Sequence, residues 1–379
     1  MFLSSPNAGQ DARTSSGSKQ RKGEMKLSVL DQSPVPAGFT PADALRNTIH
    51  LARAADSLGY ERYWIAEHHA METLASPAPE ILIARVAAET SGIRLGSGGV
   101  LLPHYSPLKV AEVFRMLHAL YPGRIDLGIG RAPGSGGLEA FALQRDRSHR
   151  QQATDFSEQL TELLAFLHHD FPAEHPFSQI KVSPEMPGSP EVWLLGSSAW
   201  SAGLAAQFGL PYAFAHFIGP EQTVEALAQY RSQFRPSKYL REPRAIVTLG
   251  AVCADTEAEA ERLSSSTKLL IRRIRLGGER RPVPTPEEAL KELGNLGDGA
   301  DPLQWDAGEW PRYVVGTPAQ VSSRLESMAR DLHVHELMIL TVIHDHGARL
   351  HSYELLAKSF GLTRRAEPNG LGVASGQAV

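Results

Sequence analysis

The sequence lacks the features that mark several protein classes. It has one cysteine, Cys253, in 379 residues, which excludes a disulfide within the chain and fits a reducing compartment such as the cytoplasm. No run approaches the ~18 consecutive apolar residues of a membrane-spanning helix. The formal net charge is -4 and no long basic run follows the first few residues, so binding to nucleic acid through bulk charge is disfavoured. The remaining composition is typical of a soluble globular enzyme.

The chain divides into a long central domain and two short ends. Residues 1–24 are rich in Ser, Gly, Gln and charge and lack the apolar segment of a secretory signal, so we interpret them as a disordered leader. Residues 364–379 are similar and are predicted to form a flexible tail. Between these ends, residues 25–363 alternate short β-rich runs with helical segments, which is the pattern of a parallel sheet wrapped by helices.

Eight β/α units follow one another in this domain. The predicted strands are 26–30, 62–66, 93–98, 125–130, 192–195, 212–215, 245–252 and 337–343. The predicted helices are 41–58, 77–92, 107–120, 150–167, 199–208, 221–234, 256–276 and 348–360. Eight units in order favour a closed α/β barrel of the (β/α)8 TIM type over an open sheet. An insertion of about 277–331 separates units seven and eight, and we expect it to lie over one end of the barrel as a lid or an interface.

In such a barrel, reactive groups gather where strands end and helices begin. The clearest signal follows strand five, where a glycine turn opens a helix that carries Ser197, Ser198 and Ser201. Free backbone N–H groups and the helix dipole favour an anion at this position, and the hydroxyls add donors. Arg131, at a neighbouring strand end, is able to pair with the same phosphate. From these residues alone, a phosphate site and a simple helix cap remain equally supported.

Two other strand ends carry candidate residues. Gly98 and Gly99 would let a flat ring lie against bare backbone because no Cβ intervenes, although paired glycines also form ordinary turns. His68 is able to hydrogen-bond a substrate or to transfer a proton near neutral pH. The alternative for His68 is a structural role, bonded to Glu67 or to backbone. His69 is predicted to point away, because successive residues of an extended chain face opposite sides.

Taken together, these segments resemble the luciferase-like flavin monooxygenases. The matching segments are residues 63–69, 93–103 with their continuation 106–112, 122–131 and 196–211. The similarity extends from about residue 25 to 361. It is greatest to the stand-alone members, some of which serve natural-product pathways, rather than to the light-emitting heterodimer.

The resemblance implies an enzyme that takes reduced FMN from a separate flavin reductase and uses O₂ to oxygenate a small organic substrate. It implies that His68 is the active-site histidine and that the segment Ser97-Gly98-Gly99 passes against the isoalloxazine ring, often through a non-proline cis peptide. The positions that hold the FMN phosphate in the family match Arg131, Ser197, Ser198 and Ser201. The resemblance also implies a homodimer. Gly130 stands where light-emitting members carry a reactive cysteine, which puts luciferase activity in doubt but not oxygenation.

Three alternatives accompany this interpretation. A deazaflavin-dependent oxidoreductase uses the same barrel and a similar phosphate turn, and transfers hydride without O₂. A metal-dependent hydrolase would use His344, Asp345 and His346 with His68 and His69, but other strand ends offer no convincing ligands, so we predict no metal site. A non-catalytic subunit is the third alternative, and the presence of His68, Arg131 and the serines argues against it. For Cys253, the apolar neighbours predict a buried structural thiol.

Overall fold

A computed structural model describes residues 25–132, 137–143, 155–277, 281–295 and 310–365. The strands are β1 Lys26–Asp31, β2 Arg62–Ile65, β3 Arg94–Ser97, β4 Val100–Leu101, β5 Ile125–Gly130, β6 Glu191–Gly196, β7 Tyr212–Ala215, β8 Ala245–Cys253, β9 Tyr313–Gly316 and β10 Glu336–Leu340. The helices are α1 Pro41–Leu58, α2 Pro79–Ala87, α3 Pro107–Leu120, α4 Gly137–Leu143, α5 Phe156–His168, α6 Ala199–Phe208, α7 Thr223–Gln233, α8 Glu257–Arg275, α9 Pro286–Asn295, α10 Pro318–Asp331 and α11 His346–Phe360.

Eight parallel strands close into a barrel. Strands β1, β2, β3, β5, β6, β7 and β8 pair in that order, and β10 joins β8 to β1. Strand β4 pairs with the end of β5, and β9 pairs with the end of β8 outside the ring. This arrangement confirms the predicted (β/α)8 barrel.

The interior of the barrel is filled in layers, because alternate residues of each strand point inward. A cluster of apolar side chains from six different strands occupies the middle: Leu30, Trp64, Trp193, Ala213, Ile246 and Met338. At the amino ends of the strands lies a layer of buried ion pairs around Arg62. The carboxyl ends of the strands are left open above the apolar layer, and the cavity described below lies there.

Helix α1 shows why local sequence predicts some boundaries well. Thr40 and Asp43 form a reciprocal capping box, and Pro41 occupies the first turn. Gly59 ends the helix with a φ of +90°, a conformation that favours glycine. The predicted bounds of this helix therefore agree with the structure.

Other boundaries differ from the prediction. Helix α2 begins at Pro79 and ends at Ala87, which is shorter at both ends than the predicted 77–92. The buried carboxylate of Asp56 accepts hydrogen bonds from the backbone N–H groups of Ser91 and Ile93, so the chain turns there instead of continuing as helix. Strand β10 stops at Leu340, whereas the prediction extended it to 343. The predicted helix 150–167 begins outside the described residues, and its described part is α5.

In the segment between β8 and β10, the predicted helix of the seventh unit was wrong. Val321 and Leu325 of α10 belong to the main core between sheet and helices. By contrast, Ala260 and Leu263 of α8 cluster with Val252 at the carboxyl end of β8 and with Ile343, which follows β10. Helix α10 is therefore the outer helix that leads to β10, although the sequence assigned that role to 256–276. Helix α9 and strand β9 were not predicted.

Some predicted regions lie outside the described residues. They are the leader 1–24, the tail from 366 onward and the insertion residues 278–280 and 296–309. Within the described ranges, no helix is both long and apolar enough to cross a membrane.

Candidate active site

A cavity of about 300 Å³ opens at the carboxyl ends of the barrel strands. Its lower wall is apolar and is formed mainly by the side chains of Leu30, Trp64, Leu195, Phe217 and Met338. The predicted site residues that line it are His68, Gly98, Gly99, Arg131, Ser197, Ser198 and Ser201. These residues follow four separate strands, β2, β3, β5 and β6, as expected for a site in a β/α barrel.

Glycines form one wall of the cavity. A Cβ on Gly99 would lie 2.8 Å from the carbonyl oxygen of Gly128, and a Cβ on Gly98 would lie 2.6 Å from Leu30 Cδ1. The peptide bond between Gly98 and Gly99 is cis. Gly130 differs, because a Cβ there would meet nothing closer than Leu101 Cδ2 at 3.5 Å. Bare backbone at these positions leaves a flat surface for a planar group.

His68 and His69 follow β2 and face different surroundings. His68 lines the cavity, and its backbone N–H donates to the carbonyl of Ser76. His69 does not line the cavity, and its Nε2 lies 2.6 Å from the buried carboxylate of Glu67. Glu67 also accepts hydrogen bonds from Leu101 N and from the Tyr105 hydroxyl. Glu67 therefore fixes the loop after β2 through His69, Leu101 and Tyr105.

Burial and the hydrogen bond to Glu67 together raise the pKa of Tyr105 well above its ordinary value. Tyr105 therefore stays protonated and acts as a donor to Glu67 across the neutral pH range. The contact holds the segment after β4 against the loop that presents His68.

The turn that carries Ser197 and Ser198, called the serine turn below, joins β6 to α6. Ser198 is the N-cap residue of α6, but its hydroxyl makes no capping hydrogen bond. The hydroxyls of Ser197 and Ser198 make no hydrogen bond with any described residue, and both residues line the cavity. The first-turn N–H groups of α6 and these two hydroxyls are the donors that an anion needs.

Ser201 has a different role from the other two serines. Its hydroxyl donates to the carbonyl of Ser198 at 2.7 Å and lies 2.9 Å from the Tyr212 hydroxyl. A Cβ on Gly196 would overlap Ser201 Oγ at 2.1 Å, so glycine is required for this close approach. Ser201 thus shapes the turn, because its single proton is already used within the protein.

Ser97 is the one predicted site residue that the cavity does not include. It is fully buried, and its hydroxyl donates to the carbonyl of Gly128 and accepts from the N–H of the same residue. Ser97 therefore joins β3 to β5 behind the glycine wall.

Arg131 and Trp200 meet at the rim of the cavity. The guanidinium carbon of Arg131 lies 3.9 Å from the centre of the Trp200 ring, and both residues line the cavity. Trp200 stands in the first turn of α6, and its ring also approaches that of Phe156 at 6.0 Å. The guanidinium is thereby held beside the serine turn.

The other candidate side chains lie elsewhere. His344 Nε2 contacts the carbonyl of Ala37, and His346 Nε2 lies 3.2 Å from His50 Nδ1. Neither histidine lines the cavity, and no group of three or more potential metal ligands occurs among the described residues. Cys253 is buried, as predicted, and burial raises the pKa of its thiol to about 12, which keeps the thiol protonated at neutral pH.

The family model for luciferase-like monooxygenases matches residues 25–336. The chain belongs to this family. A luciferase-like monooxygenase of Escherichia coli strain K12 is 40% identical over 87% of this chain and 95% of its own length. N-acetyl-S-alkylcysteine monooxygenase of Bacillus subtilis is 36% identical over 90% of this chain and 100% of its own length. The chain is thus an enzyme of the luciferase-like monooxygenase type.

Several solved structures share the barrel fold of this chain. Apo-MsnO8 is 51% identical, with a TM-score of 0.84 over 90% of this chain and 100% of its own. The oxygenating constituent of 3,6-diketocamphane monooxygenase from Pseudomonas putida, in complex with FMN, is 22% identical, with a TM-score of 0.68 over 89% of this chain and 98% of its own. An F420-dependent secondary alcohol dehydrogenase is 12% identical, with a TM-score of 0.64 over 89% and 99%. The last two likenesses show the fold alone.

Local sequence patterns did not single out several cavity residues of this luciferase-like monooxygenase. Among them are Gln32, Trp200 and Thr248. Thr248 shares the inward face of β8 with Ile246, and period-two alternation would have revealed this. Trp200 gave no such signal, because a single aromatic residue in a helix is indistinguishable from an ordinary packing residue.

Proposed function

We propose that this protein is an FMN-dependent monooxygenase that uses reduced FMN and O₂ to oxygenate a small organic substrate. One observation carries the proposal: a single cavity holds an anion-binding turn, a bare-glycine wall and a histidine. The turn suits a phosphate, the wall suits a planar ring and the histidine suits proton transfer. The family membership supports the monooxygenase reaction.

The residues present fit the cofactor. The N–H groups at the start of α6, the hydroxyls of Ser197 and Ser198 and the guanidinium of Arg131 would hold the phosphate. Ser201 would keep the turn in shape. The ring would lie against Gly98 and Gly99, where any side chain would collide with Leu30 or with the backbone of Gly128.

The side chains around the reacting atoms have two tasks. When bound, reduced FMN supplies the two electrons with which one oxygen atom of O₂ enters the substrate and the other leaves as water. A ring nitrogen of His68 would donate or accept the proton that accompanies oxygen transfer. Leu30, Trp64, Phe217 and Met338 would exclude water from the lower cavity, which protects a reactive oxidant from side reactions.

The choice of cofactor rests on the reaction class. The fold alone does not choose, because structures with this barrel include one in complex with FMN and one that depends on F420. The two curated relatives at 36% and 40% identity are named monooxygenases, whereas a deazaflavin enzyme would transfer hydride without O₂. This difference favours FMN.

The further parts of the proposal concern partners and location. The described residues include no dinucleotide fingerprint, so a separate reductase would supply reduced FMN. We also propose a homodimer in the cytoplasm. The single, buried cysteine agrees with a reducing compartment.

The proposal is tested by oxygen consumption with chemically reduced FMN. The first substrate probe is an N-acetyl-S-alkylcysteine, after the name of the Bacillus subtilis relative, alongside an aldehyde and a cyclic ketone. We expect one substrate to gain an oxygen atom from ¹⁸O₂, detected by mass spectrometry. Tight binding of a deazaflavin without binding of FMN would contradict the proposal.

The role of His68 is tested in the same assay. His68→Ala should lower the rate of product formation by about 100-fold or more, because general acid–base catalysis typically contributes that much. His351→Ala is the control, since His351 lies half-exposed on α11 and is not part of the cavity. An unchanged rate in His68→Ala would exclude this histidine from the chemistry.

A further inference from the structure

The stacking of Arg131 on Trp200 is specific in its geometry. The distance of 3.9 Å from the guanidinium carbon to the ring centre places the flat guanidinium directly against the indole. Trp200 is the second residue of α6, so this contact sets the guanidinium at the first turn of the helix. The same turn carries Ser198 and the first N–H groups of α6, of which Ala199 N donates to Gln222 Oε1 at 3.4 Å.

Nothing else among the described residues holds Arg131. Its guanidinium makes no hydrogen bond and no ion pair with them, and the residue is exposed. An arginine side chain has several rotatable bonds and loses conformational entropy when it is fixed. Without a contact to fix it, such a side chain would sample many positions at the rim.

The stack leaves the binding capacity of Arg131 intact. An indole covers the face of the guanidinium, whereas the N–H donors lie in the plane and point outward from its edges. A phosphate that approaches the turn from the cavity would therefore meet donors that are already oriented. Preorganisation of this kind raises affinity by lowering the ordering cost of binding.

We propose that Trp200 is a positioning residue, which holds Arg131 at the start of α6 so that the cavity selects a flavin with a terminal phosphate over riboflavin. This inference rests on the proposed FMN site. It assigns a role to a residue that does not itself need to touch the phosphate.

The test is to titrate the protein with reduced FMN and, separately, with reduced riboflavin under anaerobic conditions. Calorimetry measures the affinity for each flavin. Trp200→Leu should weaken FMN binding by about 3- to 30-fold, the range of a cation–π contact, and leave riboflavin binding unchanged. Trp200→Phe retains a smaller aromatic face and should fall between Trp200→Leu and the wild type. Because Trp200 is 41% exposed, its truncation creates little internal cavity, and unchanged riboflavin binding verifies that the site is intact.

A double-mutant cycle separates positioning from direct contact. In an Arg131→Met background, the further change Trp200→Leu should no longer affect FMN binding, because the tryptophan acts through the arginine. Equal losses for FMN and riboflavin, or a loss that persists without Arg131, would overturn the inference.

The titration of the wild-type protein distinguishes a failure of the proposed phosphate site from a failure of the role of Trp200. A wild-type protein that binds FMN no better than riboflavin would contradict the proposed phosphate site, and with it the inference. A wild-type preference for FMN that survives unchanged in Trp200→Leu would overturn only the role of Trp200.

Discussion

Gly99 and Gly130 both line the cavity, but the space beyond their missing side chains differs. A Cβ at position 99 would lie 2.8 Å from a backbone oxygen of Gly128, which cannot move without disturbing β5. A Cβ at position 130 would have its nearest neighbour at 3.5 Å, an ordinary van der Waals distance. The two glycines therefore serve different purposes, close packing in one case and open cavity in the other.

A matched pair of alanine substitutions tests this difference. Gly99→Ala should lower the free energy of unfolding by about 1–3 kcal/mol, the usual cost of overpacking. Gly130→Ala should change it by less than about 0.5 kcal/mol, as for substitutions without a steric conflict. Both values follow from urea denaturation. Equal effects of the two substitutions would contradict this prediction, because they would show that the backbone around Gly99 shifts to accommodate a Cβ.

At the scale of elements, His216 links three segments that the sequence separates. It follows β7, its Nδ1 lies 2.7 Å from the hydroxyl of Thr223 at the start of α7, and its Nε2 lies 3.0 Å from the carbonyl of Pro311 ahead of β9. The side chain is fully buried, and burial lowers the pKa of His216 to about 4. The histidine is thus neutral in the folded protein at neutral pH.

This burial predicts a pH dependence of stability. The unfolded chain binds a proton at His216 below a pKa of about 6.5, whereas the folded chain does so only near 4, so stability is lost as the pH falls between these values. Between pH 7.5 and 5.5 the wild type should lose about 1 kcal/mol more of its free energy of unfolding than His216→Gln does. Denaturant titrations at the two pH values measure this difference.

Thr223→Val provides the control for that experiment. It removes the hydroxyl that contacts His216 but leaves the titrating group in place, so it should retain the pH dependence of the wild type. Identical pH dependence in the wild type and in His216→Gln would contradict the assignment and would direct attention to His168 and His346. Burial lowers the pKa of both of these histidines to about 4 as well.

At the scale of the whole molecule, a layer of buried charge closes the amino end of the barrel. The guanidinium of Arg62 donates to the carboxylates of Asp126 and Glu336 at 2.8 Å each, and it lies over the ring of Trp193. Burial disfavours the charge on Arg62, but the nearby carboxylates outweigh burial and raise the pKa of Arg62. Four strands of the barrel, β2, β5, β6 and β10, thereby meet at one guanidinium.

Removal of that guanidinium should destabilise the barrel strongly. Arg62→Met leaves the buried carboxylate of Glu336 without a counter-ion and leaves Asp126 paired with Arg94 alone, and it should lower the free energy of unfolding by about 3–5 kcal/mol. Lys26→Met is the matched control, because it breaks an exposed ion pair with Glu61 and should cost less than about 1 kcal/mol. Similar costs for the two variants, measured by urea denaturation, would show that the buried layer relaxes without its arginine.

Local patterns in the sequence determined the barrel and the end of it that carries the site. Capping residues, glycine ends and period-two strands act over a few residues, so the bounds of α1, α3, α6, β5 and β7 could be predicted from the sequence. Motif order placed His68, Arg131 and the serine turn at strand ends. The unit structure of 256–331 could not be predicted in this way, because α8 and α10 have similar helical patterns and differ only in what they pack against.

The tertiary structure alone determined which contacts each site residue makes. Glu67 bonds His69 and leaves His68 facing the cavity, Ser201 uses its proton on the turn and Ser97 joins two strands behind the glycine wall. Trp200 reaches Arg131 across 69 positions of sequence only because β5 and β6 are neighbours in the sheet. Hydrogen-bond partners and ring contacts depend on strand register and barrel closure, which bring together residues that no local pattern connects.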